Sequence, residues 1–253
     1  MVRWSIRPGA GRPWLRGGLG LGRLGSAGVR PLALITGASR GIGAAVARAL
    51  GDTHDLLLGG RDLDALAGLA RTLPGAHPWP VELTDPEALA AATSGVESLD
   101  VLVHSAGVVD IGPLAQTTAD TWRRTLELNV VAVAELTRLL LPALRAAGGH
   151  VVLVNSGAGL NAHAGWGSYA ASKFALRAYA DVLRAEEPAL RVTSIFPGRT
   201  ATDMQRGVRA AEGGEYDPSQ YLAPETVAGA VLTALTTPKD GHLTELVLRP
   251  ASR

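Results

Sequence analysis

The stretch Leu32-Ala33-Leu34-Ile35-Thr36-Gly37-Ala38-Ser39-Arg40-Gly41-Ile42-Gly43 decides the fold. Its first four residues are a short, wholly apolar strand. The strand runs into a glycine-rich turn, and a helix follows over Ile42 to Leu50. Glycines let the backbone turn tightly and approach a pyrophosphate. The helix N-terminus adds unpaired N–H groups and the positive end of its dipole. A plain glycine-rich turn is the alternative, and the strand–turn–helix context argues against it.

The alternation continues outward. Asp55-Leu56-Leu57-Leu58-Gly59 reads as a second strand and Leu63–Thr72 as a helix. A third strand runs through Trp79-Pro80-Val81. Asp85-Pro86-Glu87 opens a helix, with Asp as cap and Pro at the first position. Leu99–Val103 is a fourth strand and Val151–Val154 a fifth. Between them, Thr118 to Leu144 is long and amphipathic, broken near Asn129, a poor mid-helix residue. A helix starts at Gly167, Arg191–Phe196 is a sixth strand, Pro224 opens the last long helix, and Leu243–Leu248 closes as a seventh strand. Residues 203–222 are polar and turn-rich and read as a loop. This order predicts an α/β fold, one doubly wound, mostly parallel sheet with helices on both faces.

Composition agrees. Apolar residues make up 47% of the chain and aromatic ones 4%, which suits a parallel sheet buried between helices. The absence of Cys excludes a disulfide framework and thiolate metal sites, and the six His are scattered without metal-ligand spacing. A cytoplasmic location is expected. No apolar run approaches the about 18 residues that a membrane span needs. Residues 1–31 contain six Arg and no acid, which leaves 18 basic and 23 acidic residues in the remainder, a net of −5. The domain therefore has no basic excess to suggest a nucleic acid partner. Residues 1–30 are rich in Gly and Arg and lack periodicity, so they are expected to be a disordered extension or the product of a start assigned too far upstream.

Gly167-Ser168-Tyr169-Ala170-Ala171-Ser172-Lys173 places Tyr169 and Lys173 four residues apart, on one helix face. Ser156 ends the apolar run of the fifth strand, and Pro197-Gly198 ends that of the sixth. With the spacing Gly37-x-x-x-Gly41-x-Gly43, this set resembles the short-chain dehydrogenase/reductase family over roughly Pro31 to Pro250. The resemblance implies a single Rossmann-type domain of seven strands over 31–253. It also implies reversible hydride transfer between a nicotinamide and a carbonyl or secondary alcohol. Tyr169 would supply the proton. Lys173 would favour the phenolate of a group whose free pKa is about 10, and would hold the nicotinamide ribose. Ser156 would orient the carbonyl, and a helix kink at Asn129 would hold a water leading from Lys173 to solvent.

Cofactor contacts implied by the resemblance are Gly37, Ser39, Arg40, Gly41, Ile42 and Gly43 in the turn. Glu82 and Leu83 belong to a segment similar to the family's Asp-Val-Thr-Asp. Ser105, Ala106 and Gly107 stand in His104-Ser105-Ala106-Gly107, where the family usually has Asn-Asn-Ala-Gly, and His104 is read as structural. Pro197, Gly198, Thr200 and Thr202 follow the sixth strand, and 203–222 would be the mobile substrate loop. Gly60 occupies the position of the family's NAD-selecting acid. Arg61 follows it and Arg40 in the glycine turn matches the family's second basic position, which points to NADP(H), although Asp62 is close by and Arg61 also reads as a solvated helix cap. Two other readings stand beside a small-molecule oxidoreductase: a 3-oxoacyl-carrier-protein reductase, and a non-catalytic NADPH sensor. A homodimer or homotetramer is expected through the helices of Asn129 and Tyr169. Val130, Val133, Leu136, Leu140 and Leu144 exceed what one face needs for the sheet.

Overall fold

In the computed structural model, residues 30–251 are described. Residues 1–29, most of the expected extension, lie outside them. Arg30, assigned to that extension, is instead tied to the domain: its guanidinium donates to Gly51 O and His54 O and pairs with Asp55.

Strands β1 (Leu32–Thr36), β2 (Asp55–Gly60), β3 (Ala76–Pro80), β4 (Val101–His104), β5 (His150–Val154), β6 (Arg191–Pro197) and β7 (Glu245–Leu248) form one sheet in the order β3-β2-β1-β4-β5-β6-β7. Every pairing is parallel. The chain steps outward from β1 to β3, then returns to lay β4 on the other side of β1. That reversal opens a crevice at the carboxyl ends of β1 and β4, the place where doubly wound sheets bind ligands.

Side-chain alternation in β1 sorts the core. Ala33 and Ile35 pack with α1 (Gly41–Leu50), α2 (Leu63–Ala70) and α8 (Pro224–Thr236). Leu32 and Leu34 pack on the other face with α3 (Pro86–Thr93), α5 (Ala132–Ala147) and α6 (Gly167–Glu186). Asp62 and Asp85 cap α2 and α3, accepting from Ala65 N and from Glu87 N and Ala88 N.

Three expectations change. Residues 203–222 do not form a plain loop: Thr202 accepts from Gln205 N and starts α7 (Asp203–Ala211), which buries Gln205 and Val208. The long amphipathic segment divides into α4 (Ala119–Leu126), a π-turn over Glu127–Val131 and α5. Finally, Val133, Leu136, Leu140 and Leu144 are buried in the core of this one chain, and Val130 is half-buried. The buried residues provide no spare apolar surface. The exposed large apolar residues nearby are Val131 in the π-turn and Phe174 and Val182 on α6, 49%, 42% and 53% exposed.

Candidate active site

A cavity of about 1020 Å³ lies at the carboxyl edge of the sheet. Among the expected site residues, its wall includes Gly37, Ser39, Arg40, Gly41, Ile42, Arg61, Glu82, Leu83, Ser105, Ala106, Gly107, Ser156, Tyr169, Lys173, Pro197, Gly198, Thr200 and Thr202. Gly43 and Asn129 stand behind the wall and act through packing.

The glycine turn has steric reasons for its composition. Gly37 has φ +67°, and a Cβ there would stand 2.8 Å from Ala106 N. At Gly43 a Cβ would stand 2.3 Å from Gly37 O, so this glycine lets α1 close onto the turn. Thr36 Oγ1 accepts from Ser105 N (3.1 Å) and Ala106 N (3.2 Å), which joins the ends of β1 and β4. Helix α1 begins without a side-chain cap and without an acid in its first turn. An anion at that N-terminus would meet unpaired N–H groups and a favourable dipole. A turn this tight beside an uncapped helix fits the pyrophosphate of a dinucleotide.

At the adenosine end, Arg61 lies 3.6 Å from Glu82, and Arg40 lies 3.8 Å from Asp203 at the start of α7. Both arginine side chains are 77% exposed. Asp62 is turned towards its own helix by the capping bond.

The first turns of α6 bring Tyr169 and Lys173 to the wall of the same cavity. Lys173 Nζ sits 5.7 Å from the centre of the Tyr169 ring. It donates to Val154 O at 3.1 Å, the hydrogen bond made by this buried ammonium among the described residues. Burial pulls its pKa down to about 8. Burial also pushes the Tyr169 phenol above its ordinary value, and a hydrogen bond with Ser156 opposes that rise. Ser156 is fixed from two sides: its Oγ accepts from Ala158 N (3.1 Å) and its N–H donates to Asn155 Oδ1 (2.8 Å). Asn155 in turn donates to Lys173 O (3.1 Å).

Asn129 lies in the π-turn, fully buried. Its amide clasps Val108 in both directions, N–H to Oδ1 and Nδ2 to carbonyl, each at 2.9 Å. Nδ2 also donates to Ser172 Oγ (3.0 Å), which donates to Tyr169 O (2.7 Å). The side chain thus holds the wall of the cavity through three hydrogen bonds, both donors of Nδ2 being used. His104 is buried, bonded to Thr137 Oγ1 at 2.9 Å, and driven by burial to a pKa of about 3.

Several wall residues carry no motif in the sequence: Trp166, Arg199, Gln205, Val208 and Arg249. Arg199 forms a two-point pair with Glu212 and lies 5.8 Å from the centre of the Trp166 ring. Arg199, with help from Arg209, overcomes partial burial and holds the Glu212 carboxyl down at about 2. Arg249 follows β7, and its place at a strand's carboxyl end is the one signal that sequence offered. Among the described residues no cluster of three or more His, Cys, Asp or Glu has the arrangement of a metal site, and no helix is long and apolar enough to cross a membrane.

Comparison with known proteins agrees with this geometry. The family model described as short chain dehydrogenase matches residues 31–213. Glycine betaine reductase ATRR of Emericella nidulans is 37% identical over 87% of this chain, a match that spans only 18% of that much longer protein. Dehydrogenase/reductase SDR family member 7B of Bos taurus is 35% identical over 80% of this chain and 69% of its own length. Among solved structures, an alcohol dehydrogenase from the archaeon Thermococcus sibiricus, complexed with 5-hydroxy-NADP, superposes with a TM-score of 0.81 at 28% identity, covering 88% of this chain and 98% of that one.

Proposed function

We propose that this chain, which belongs to the short-chain dehydrogenase/reductase family, is an NADP(H)-dependent oxidoreductase acting on a small carbonyl compound or secondary alcohol. One observation carries the reading: Tyr169, Lys173 and Ser156 converge on the wall of a single cavity that the glycine turn also lines. When bound, the nicotinamide nucleotide supplies or accepts the hydride. The remaining work falls to the chain. In the reductive direction the carbonyl oxygen gains negative charge and needs a donor. Ser156 Oγ orients that oxygen, and the Tyr169 hydroxyl gives it a proton. Burial raises the phenol's pKa, so the hydroxyl is protonated near neutral pH, and the Ser156 hydrogen bond and the Lys173 charge offset that rise as the phenolate forms.

Lys173 brings a positive charge within reach of the forming phenolate. Its donors beyond the Val154 O bond are available to a ribose hydroxyl and to a water leading to solvent. Main-chain carbonyls of the π-turn around Asn129 are the proposed acceptors for that water. Arg61 and Arg40 favour a 2′-phosphate, and the 5-hydroxy-NADP named for the archaeal neighbour is in keeping with this choice. The same reading places the enzyme in the cytoplasm as a homodimer or homotetramer, with Val131, Phe174 and Val182 at the contact. A screen of aldehydes, ketones and secondary alcohols, followed by the absorbance of reduced nicotinamide, tests it. A sensor would bind NADPH and turn over none of them.

A further inference from the structure

Charge around the Ser156 end of the cavity is unevenly compensated. We propose that Arg249 binds a carboxylate of the substrate, so that the carbonyl compound is an oxo acid and its reduced form a hydroxy acid. This rests on the reading of Ser156 and Tyr169 given above.

Arg249 directly follows β7, beside the carboxyl ends of β5 and β6. Its Nη1 donates to Phe196 O (3.2 Å) and Leu248 O (2.9 Å), two main-chain acceptors that fix the guanidinium in place. The group lies flat over Gly157, the residue after Ser156. A Cβ built at Gly157 would stand 3.4 Å from Cζ, Nη1 and Nη2 alike, the spacing of contact with the flat face of the group. Arginine has five N–H donors in a rigid fork. The two carbonyls engage Nη1, and the edge formed by Nη2 and Nε has no hydrogen bond among the described residues. Such an edge matches the two oxygens of a carboxylate.

The neighbouring charges favour the same ligand. Arg40 and Arg61 face Asp203 and Glu82, and Arg199 is held by Glu212 at 2.5 and 2.8 Å. Those pairs engage Asp203 and Glu82, the acids on the cavity wall. Arg249 has no carboxylate partner among the described residues. A carboxylate entering beside Ser156 would therefore meet an uncompensated guanidinium. A cationic substrate would meet that charge too, and would find the Trp166 ring already faced by Arg199.

The test uses full-length enzyme with NADPH and three acids, pyruvate, acetoacetate and levulinate, each against its methyl ester. These vary the distance between carbonyl and carboxylate by one methylene at a time. At least one acid is expected to exceed its ester tenfold in kcat/KM. Arg249→Gln should reduce kcat/KM for that acid, through KM, at least tenfold more than for the ester, and Arg249→Lys should recover part of the loss. A role confined to holding Phe196 and Leu248 would lower acid and ester together, and that result overturns the proposal. Reduction of esters in preference to acids also overturns it and leaves the oxidoreductase reading intact. If none of the six is reduced, calorimetry of the acids with the NADP-saturated protein decides. Binding that Arg249→Gln abolishes supports the carboxylate site, and no binding to the parent overturns it. The oxidoreductase reading is judged separately, by the wider screen.

Discussion

Replacing Arg61 by Ala separates the two cofactors if the adenosine end is built as described. The 2′-phosphate of NADP carries close to two negative charges, and NAD has a hydroxyl there. In the structure Arg61 is 77% exposed and 3.6 Å from Glu82. A charge-assisted hydrogen bond to the phosphate contributes roughly 1.5–3 kcal/mol. Solvent exposure reduces this, and the competing surface pair with Glu82 is worth at most about 1 kcal/mol. A net of about 1.4 kcal/mol remains, a tenfold difference in Kd. Arg61→Ala should weaken NADPH about tenfold and leave NADH nearly unchanged. The reverse change is also sterically open: a Cβ at Gly60 would meet Leu66 carbons at 3.5, 3.6 and 3.8 Å, ordinary contact distances. Gly60→Asp should fold and shift the preference towards NADH. Fluorescence titration of both cofactors against the parent and both variants provides the numbers. Equal affinities in the parent, or an equal loss of both cofactors in Arg61→Ala, would reduce Arg61 to a surface cap and refute the reasoning.

Three further outcomes follow from the geometry. His104 and His150 are buried with pKa values near 3, so between pH 6.5 and 3 the unfolded chain binds more protons than the folded one. Stability is therefore full above about pH 6.5 and falls on acidification, by about 1.4 kcal/mol per pH unit for each His; urea unfolding at pH 5 and 7.5 should show this, and His104→Asn should flatten the slope by about one proton. Gly37→Ala forces a positive φ on an L-residue and a 2.8 Å contact with Ala106 N, so melting temperature and NADPH affinity should both fall, and an unchanged melt would contradict the turn geometry. Light scattering at micromolar concentration should give a dimer or tetramer mass, and Val182→Arg should shift it towards monomer; a parent that is monomeric removes the assembly proposal.

Local patterns were the legible part of this chain. The β1–turn–α1 stretch and the Tyr169–Lys173 pair each carry their signal within about ten residues, and both appear where sequence put them. Helix α7 is not legible in the sequence because Asp203–Ala211 buries only Gln205 and Val208, too few apolar positions for periodicity to stand out. Val133, Leu136, Leu140 and Leu144 are core residues and not a surplus for a different reason. A helix covering a broad sheet face and packing on a second helix uses a wide apolar stripe within one chain, and sequence does not say how wide. The pairs Arg40–Asp203 and Arg61–Glu82 join residues far apart in the chain, as does the placement of Arg249 over Gly157. No spacing rule reaches them.

The central claim is that the Tyr169 hydroxyl transfers the proton. Tyr169→Phe keeps the buried ring and removes that oxygen. With any substrate found in the screen, NADPH turnover by this variant should fall by about 10²–10⁴-fold, the usual loss for a general acid, while its Kd for NADPH stays within a few-fold of the parent's. Turnover within a few-fold of the parent, with cofactor binding intact, would contradict the account.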